Sequence, residues 1–95
     1  MGTPLPSKRI RLTLYVAAGA PNSVRAIANL AEICDSLRSL FKLEIVDVLK
    51  FPLRALADGV LVTPQLAKLS PAPTAKIVGN LSDRARVLAA LGIAK

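Results

Sequence analysis

The stretch that decides the fold is residues 10–24, which read IRLTLYVAAGAPNSV. In Ile10–Val16 apolar side chains alternate with Arg, Thr and Tyr, which is the periodicity of a β-strand. Residues 17–21 predict a turn, and Asn22 or Ser23 is a candidate N-cap for a helix that follows. This stretch therefore predicts a strand, a turn and a helix in direct succession.

The helix after this turn is predicted to bury one apolar face, because apolar residues recur at intervals of three and four positions. That face consists of Val24, Ile27, Ala31 and Cys34, widened by Leu30, Ile33 and Leu37. A free cysteine packs as a small hydrophobe, so we interpret Cys34 as buried and structural.

The middle of the chain predicts a second strand at residues 43–49, where both faces are largely apolar. Such a pattern is typical of a central, parallel strand that is covered on both sides. Pro52 then suits the first position of a short helical turn, which Gly59 ends.

The last third predicts two short strands, at residues 65–69 and 74–78, separated by a proline-rich turn. Ser82 is the candidate N-cap of a final helix that ends at Gly92. Its apolar stripe consists of Val87, Leu88 and Leu91.

The predicted order is therefore β-α-β-α-β-β-α. The first β-α-β unit is expected to be right-handed with parallel strands, and the later two strands form an antiparallel hairpin. This order predicts an α/β fold of the thioredoxin-like kind, with a four-stranded mixed sheet and helices on both faces. Residues 10–95 are expected to form a single domain, and residues 1–9 a flexible N-terminal arm.

Composition excludes several kinds of site. The 95 residues include no histidine and one cysteine, which excludes an intrachain disulfide, a zinc finger and a histidine-based triad. A thioredoxin needs two cysteines at the start of its first helix, where this chain has Ala20-Pro21-Asn22-Ser23, so disulfide exchange is excluded. The formal charge of +7 favours anionic partners without naming one.

Membrane and secretion signals are weak. The longest uncharged run, residues 12–24, falls short of the roughly 20 apolar residues of a membrane-spanning helix. Lys8, Arg9 and Arg11 precede this run as in a signal peptide, but the alternation of the run favours a strand. We therefore expect a cytoplasmic protein that does not associate with a membrane.

Five blocks along the chain carry a resemblance to a known family. They are LYVA at residues 14–17, PNSVRA at 21–26, VDVLK at 46–50, TPQLAK at 63–68 and IVGNLS at 77–82. In this order and spacing, the chain resembles the KaiB family from about Ile10 to Ile93.

The resemblance implies a regulatory binding protein without catalytic residues, metal or cofactor. Its expected partner is KaiC, a hexameric RecA-type ATPase, with a histidine kinase or another regulator as a second partner, in a clock-related or stress-response system. The family also implies fold switching between two packings of one sequence. One form is an oligomer, dimeric or tetrameric, with a rearranged C-terminal half, and the other is a thioredoxin-like monomer that binds the ring.

Three positions depart from the family pattern. Gly59 stands where a basic residue is expected, while Ala90 and Gly92 stand where the last helix of relatives has a glycine and then an aspartate. Alanine stabilises a helix interior by roughly 0.8–1 kcal/mol over glycine. We therefore expect residues 82–91 to be helical and the chain to favour the thioredoxin-like form.

The candidate partner-binding residues are Arg25, Leu49, Lys50, Lys68 and Lys76. Arg25 lies in the first turn of the first predicted helix, and Leu49 and Lys50 lie at the end of the second strand, where parallel sheets bind ligands. Lys68 and Lys76 lie on the hairpin strands. The hypothesis is that all five face an acidic edge of the ATPase ring; the alternative for each lysine and arginine is a solvated charge of little consequence.

Thr63-Pro64 is the candidate for a structural cis-proline. The resemblance implies a cis peptide bond before the third strand. The alternative is an ordinary trans turn, because only about 5–6% of X-Pro bonds in folded proteins are cis.

Two other functions stay open at this point. A glutathione-binding enzyme domain of the same layout would use a hydroxyl near the first helix, for which Tyr15 and Ser23 are the candidates. A weak nucleic-acid-binding module would use basic clusters. These are Lys8, Arg9 and Arg11, and Arg84 with Arg86. The chain has only three aromatic residues to stack on bases, which disfavours specific nucleic-acid binding.

Overall fold

The computed structural model describes residues 9–36 and 40–93. It has seven elements in the predicted order β-α-β-α-β-β-α. They are β1 (Ile10–Val16), α1 (Pro21–Ser36), β2 (Phe41–Asp47), α2 (Pro52–Ala57), β3 (Gln65–Ser70), β4 (Ala75–Val78) and α3 (Arg84–Leu91). Apart from Arg9, the predicted N-terminal arm lies outside the described residues, as does Leu37 of the predicted helix face.

The four strands form one mixed sheet in the order β2-β1-β3-β4. β1 pairs parallel to β2 and antiparallel to β3, and β3 pairs antiparallel to β4. This confirms the thioredoxin-like fold class. The peptide bond between Thr63 and Pro64, directly before β3, is cis.

The prediction that the second strand is central and covered is wrong. β2 spans Phe41–Asp47 rather than residues 43–49, and it lies at an edge of the sheet. Leu43 is 36% exposed and Ile45 47% exposed. β3 occupies the other side of β1, so β1 becomes the central strand and β2 keeps a free edge. An apolar run alone does not distinguish a strand covered by helices from one that exposes apolar side chains.

The main core lies between one face of the sheet and the helices α1 and α3. Leu12, Leu14 and Val16 of β1 pack in one cluster with side chains of both helices and of the hairpin. The partners from these elements are Ala26, Leu30, Ile33, Leu66, Ile77, Val87 and Leu91. Because strand residues alternate between faces, the odd-numbered residues of β1 point to the other face.

That other face carries a second, smaller cluster of Tyr15, Val46 and Ala67. Val48 and Val60, which flank α2, pack against it. Helix α2 therefore lies on the face opposite α1 and α3, as predicted for helices on both sides.

The start and the buried face of α1 differ from the prediction. The helix begins at Pro21, a residue well suited to the first helical position. Ser23 is therefore not an N-cap: it lies inside the first turn, is 1% exposed, and its Oγ accepts a hydrogen bond from the Ala17 N–H at 3.0 Å. Asn22 also lies within the helix.

The buried face of α1 is rotated from the predicted one. Ala26, Leu30 and Ile33 are buried, whereas Val24 and Ile27 are 55% and 37% exposed. Cys34 is half-buried against the core rather than fully enclosed, and burial raises the pKa of its thiol. The spacing of three and four fits both faces, so the sequence pattern alone does not decide which of them is buried.

The last helix begins one residue later than predicted, whereas α1 begins earlier. Asp83, not Ser82, is its N-cap, and the Asp83 carboxylate accepts a hydrogen bond from the Arg86 N–H at 3.1 Å. Ser82 instead donates its N–H to the Asn80 side chain. Gly92 ends the helix as predicted, with a φ of 81° that a residue with a side chain rarely adopts.

Ala90 tests the contribution of helix propensity to this fold. We expect Ala90→Gly to lower the free energy of unfolding by about 1 kcal/mol, because glycine is the poorer helix former. Urea denaturation followed by circular dichroism measures this loss. Ala89→Gly, at an exposed position of the same helix, should cost a similar amount, because the same helix propensity applies there. Equal stability of Ala90→Gly and the unsubstituted chain would contradict the expectation.

Candidate docking surface

The region around α2 exposes an unusual amount of apolar surface. Six large apolar side chains between residues 49 and 62 are about half exposed or more, and we call them the α2 surface. They are Leu49 (67%), Phe51 (55%), Leu53 (79%), Leu56 (74%), Leu61 (92%) and Val62 (49%). Large contiguous apolar patches are rare on monomers and mark sites of interaction.

Asp47 orders the chain between β2 and α2. The N–H groups of Lys50 and Phe51 donate to the Asp47 carbonyl at 3.0 and 2.9 Å. The Leu49 N–H donates to the Asp47 carboxylate at 3.0 Å, and the Ala18 N–H reaches the same oxygen at 3.4 Å. The turns that follow β1 and β2 are thus joined at one edge of the sheet.

A chain of four polar side chains joins α2 to the sheet, and we call it the Arg54 network. It consists of Glu44, Arg54, Asp58 and Tyr15. The Arg54 guanidinium donates from Nη1 and Nη2 to the two Glu44 oxygens, each at 2.6 Å. Its Nε lies 3.5 Å from Oδ2 of Asp58, and the same oxygen accepts a 2.7 Å hydrogen bond from the Tyr15 hydroxyl.

The contacts of this network shift the pKa values of Glu44, Arg54 and Tyr15. The hydrogen bond from Arg54 lowers the pKa of Glu44, and the hydrogen bond to Glu44 raises the pKa of Arg54 further above its ordinary value. Burial raises the pKa of Tyr15 to about 12, and its hydrogen bond to Asp58 adds to this effect. Tyr15 is therefore a neutral donor over the physiological pH range, and the lowered pKa of Glu44 favours the carboxylate that accepts from Arg54.

Four of the five predicted partner-binding residues are exposed. Leu49 and Lys50 lie in the turn after β2, and Arg25 lies near the start of α1, which follows the same end of the parallel strand β1. Lys76 lies on β4 opposite Ala67, which places its side chain on the α2 face of the sheet.

Lys68 does not belong with the other four. It is 5% exposed and pairs with Leu12 and Ala75, so it lies on the face covered by α1 and α3. Its Nζ approaches Gly92, 3.7 Å from where a Cβ at that position would stand. A cation at the end of α3 complements the negative end of the helix dipole, so the side chain serves the fold rather than the surface.

The geometry does not favour the glutathione alternative. A hollow of about 300 Å³ adjoins the network, lined by Tyr15, Arg54, Asp58, Gln65, Ala67, Leu69 and Lys76. The Tyr15 hydroxyl is engaged by Asp58, and its raised pKa disfavours the phenolate. The Ser23 hydroxyl is buried and engaged by Ala17. Neither candidate hydroxyl is positioned as an exposed nucleophile.

The nucleic-acid alternative gains no support either. Arg11 points to the α2 face, whereas Arg84 and Arg86 lie on α3 on the opposite side of the sheet. Tyr15 and Phe41 are buried, which leaves Phe51 as the one exposed aromatic side chain of the described residues. Stacking platforms for bases need several exposed rings.

Residues 9–36 and 40–93 contain neither a cluster of metal-ligating side chains nor a helix that could span a membrane. No three histidine, cysteine, aspartate or glutamate side chains come together as metal ligands. In that same part of the chain, none of the helices has the length and hydropathy required to cross a bilayer.

The sequence predictions missed the Arg54 network and most of the α2 surface. One signal was available: Arg54 and Asp58 are four residues apart, the spacing of an ion pair on one helix face. Leu49, Leu53 and Leu56 also recur at intervals of four and three. No local pattern connects Arg54 with Glu44 or Asp58 with Tyr15, because those pairs form only when the sheet is assembled.

The single tyrosine of the chain allows a direct test of the network. We expect Tyr15 to titrate near pH 12 in an absorbance titration of the phenolate, and Asp58→Asn to lower this pKa. Since burial is the larger cause, the variant should remain above the ordinary value of 10.0. Because the folded-state pKa is raised, the stability that this group contributes is present below pH 10 and is lost as pH rises towards 12. Titration of the unsubstituted chain near 10 would contradict the contact.

Comparison with known proteins identifies the family. The family model described as the KaiB domain matches residues 13–93. The circadian clock oscillator protein KaiB of Prochlorococcus marinus (strain MIT 9313) is 47% identical over 89 residues, which cover 93% of this chain and 75% of that protein.

Solved structures agree with the fold. The N-terminal domain of SasA from Synechococcus elongatus superposes with a TM-score of 0.73 at 20% identity, covering 97% of this chain and 91% of the domain. The thioredoxin Deadhead of Drosophila melanogaster gives a TM-score of 0.75 at 14% identity, covering 90% of this chain and 81% of that one. At such identities the likeness concerns the fold alone. The family match and the identity to the Prochlorococcus protein show that the chain belongs to the KaiB family.

Proposed function

We propose that this protein is a non-catalytic regulatory protein of the cytoplasm that docks on a KaiC-like hexameric ATPase through the α2 surface. The observation that carries the proposal is the exposure of six large apolar side chains around α2, in a chain whose relatives are named circadian clock oscillator proteins. The system it serves is clock-related or concerned with stress, and a histidine kinase or another regulator is the proposed second partner.

The α2 surface has the composition of an interface core. Fully burying a leucine side chain contributes about 1.5–3 kcal/mol, so a partner that covers Leu53, Leu56 and Leu61 gains a substantial hydrophobic contribution. Interfaces concentrate their binding energy in a few central, well-packed and desolvated side chains. Because Leu53 and Leu56 lie three residues apart, they share one face of α2.

The charged residues near this surface are proposed to orient the ATPase as it associates. Lys50 lies between Leu49 and Phe51 of the α2 surface, and Arg25 lies at the same end of the parallel strands. Charges at the rim of an interface mainly raise the association rate and select the partner. An acidic edge on the ATPase would therefore meet Lys50 and Arg25 while apolar side chains fill the centre.

Removal of apolar side chains tests the centre of the proposed surface. We expect Leu53→Ser with Leu56→Ser to weaken binding to the KaiC-like ATPase by at least about tenfold, as for central interface residues. Fluorescence anisotropy of the labelled protein, titrated with the ATPase in ATP and in ADP, measures this change.

The matched control for this variant is Val24→Ser with Ile27→Ser, which removes two exposed apolar side chains from α1. Circular dichroism verifies that both variants remain folded. Equal affinities for the unsubstituted protein and the Leu53/Leu56 variant would place the interface elsewhere.

Charge reversal tests whether exposed cations at the edge of the proposed interface contribute to binding. Lys50→Glu with Lys76→Glu should abolish detectable ring binding while the protein stays folded, because both cations lie on exposed positions of the α2 side. Arg84→Glu with Arg86→Glu makes the same charge change on α3 and should bind almost normally. If the Lys50/Lys76 and Arg84/Arg86 variants weaken binding equally, the cause is the net charge, and Lys50 and Lys76 do not lie at the interface.

A further inference from the structure

Helix α2 has little packing of its own to hold it. It comprises six residues, Pro52–Ala57, of which only Ala55 is buried. A helix this short is not stable alone in water, so its orientation depends on contacts with the rest of the chain. Its neighbours Val48 and Val60 pack on the sheet, and the Val60 N–H donates to the Ala55 carbonyl at 2.9 Å. These contacts hold Ala55 and the ends of the segment against the sheet, while the other side chains of the helix are exposed.

The two sides of α2 are chemically distinct. Leu53 and Leu56 share one side and are 79% and 74% exposed. Arg54 and Asp58 share another side and contact each other across one helical turn at 3.5 Å. Arg54 binds Glu44 of β2, and Asp58 accepts a hydrogen bond from Tyr15 of β1. The polar side therefore reaches two strands, whereas the apolar side reaches solvent.

The guanidinium group is suited to determine an orientation. Its two terminal nitrogens donate in parallel to the two Glu44 oxygens, each at 2.6 Å, which is a planar fork-to-fork geometry. A lysine ammonium would supply a point charge without this planarity. Exposed ion pairs in general contribute little to the free energy of unfolding. The main consequence of this contact is therefore the orientation that it gives to α2.

We propose that Arg54 is the positioning residue of the α2 surface: by pairing with Glu44 and Asp58 it sets the rotation of α2 so that Leu53 and Leu56 face outward together. This inference rests on the proposed docking function and adds to it a residue that acts through its neighbours. Arg54 tunes binding without itself forming the contact with the ATPase.

The test compares Arg54→Lys, Glu44→Gln and the double variant, each by two measurements. The first is hydrogen exchange of the free protein, which needs no partner. Each variant should speed exchange of the Ala55, Asp58 and Val60 amides by about threefold, the size expected when an exposed ion pair that limits local opening is lost, while β1 and β3 amides are unchanged. Arg84→Lys on α3 is the matched control and should change neither region.

The second measurement is affinity for the KaiC-like ATPase. Each single variant should weaken binding about fivefold, and the double variant should be no weaker than either single one, because all three break the same contact. Loss of affinity in Arg54→Lys with normal affinity in Glu44→Gln would show that Arg54 touches the partner directly, and would overturn the inference.

The two measurements separate failure of the inference from failure of the proposed function. Unchanged hydrogen exchange at α2 in both single variants overturns the positioning role whatever the partner does. If the unsubstituted protein does not bind the ATPase, the docking proposal fails, and with it the tuning of docking by Arg54. Faster exchange in the variants would then still assign the rotation of α2 to Arg54.

Discussion

Strand β1 is the constraint on which the rest of the structure depends. It is hydrogen-bonded on both edges, and every residue from Leu12 to Val16 is buried. Its even-numbered side chains join the core with α1 and α3, and Tyr15 joins the small cluster beneath α2. Because β1 and β2 run parallel, the turns that follow them meet at one edge, where Asp47 contacts both. The position of the α2 surface is a consequence of that pairing.

The two faces of the sheet differ in how many side chains they bury. The face with α1 and α3 holds most of the buried side chains, including Leu30, Leu66 and Val87. The face with α2 has a thin core, so apolar side chains remain exposed there at small cost to the fold. The hydroxyls of Tyr15 and Ser23, which a catalytic relative of this layout would leave accessible, are both engaged in the structure. Neither hydroxyl is therefore presented as an exposed nucleophile.

Local patterns predicted what depends on neighbouring residues along the chain. The alternation of apolar and polar residues predicted the observed bounds of β1. Gly92 ends α3 because its backbone lies in the left-handed region, which favours glycine. Features decided by assembly were not predictable in the same way. The edge position of β2 follows from β3 taking the other side of β1, and the burial of Lys68 follows from the face on which its register places it. Arg54 and Glu44 meet only after α2 folds back over the sheet.

In the proposed complex, residues around α2 and Arg25 at the start of α1 contact the KaiC-like ATPase, while α3 stays free. Hydrogen exchange of the unsubstituted protein, compared with and without an excess of the ATPase and ATP, tests it most directly. We expect slower exchange across residues 49–62 on addition of the ATPase, with unchanged exchange in α3. Protection confined to α3, or no protection in any segment while the two proteins are bound, would contradict it.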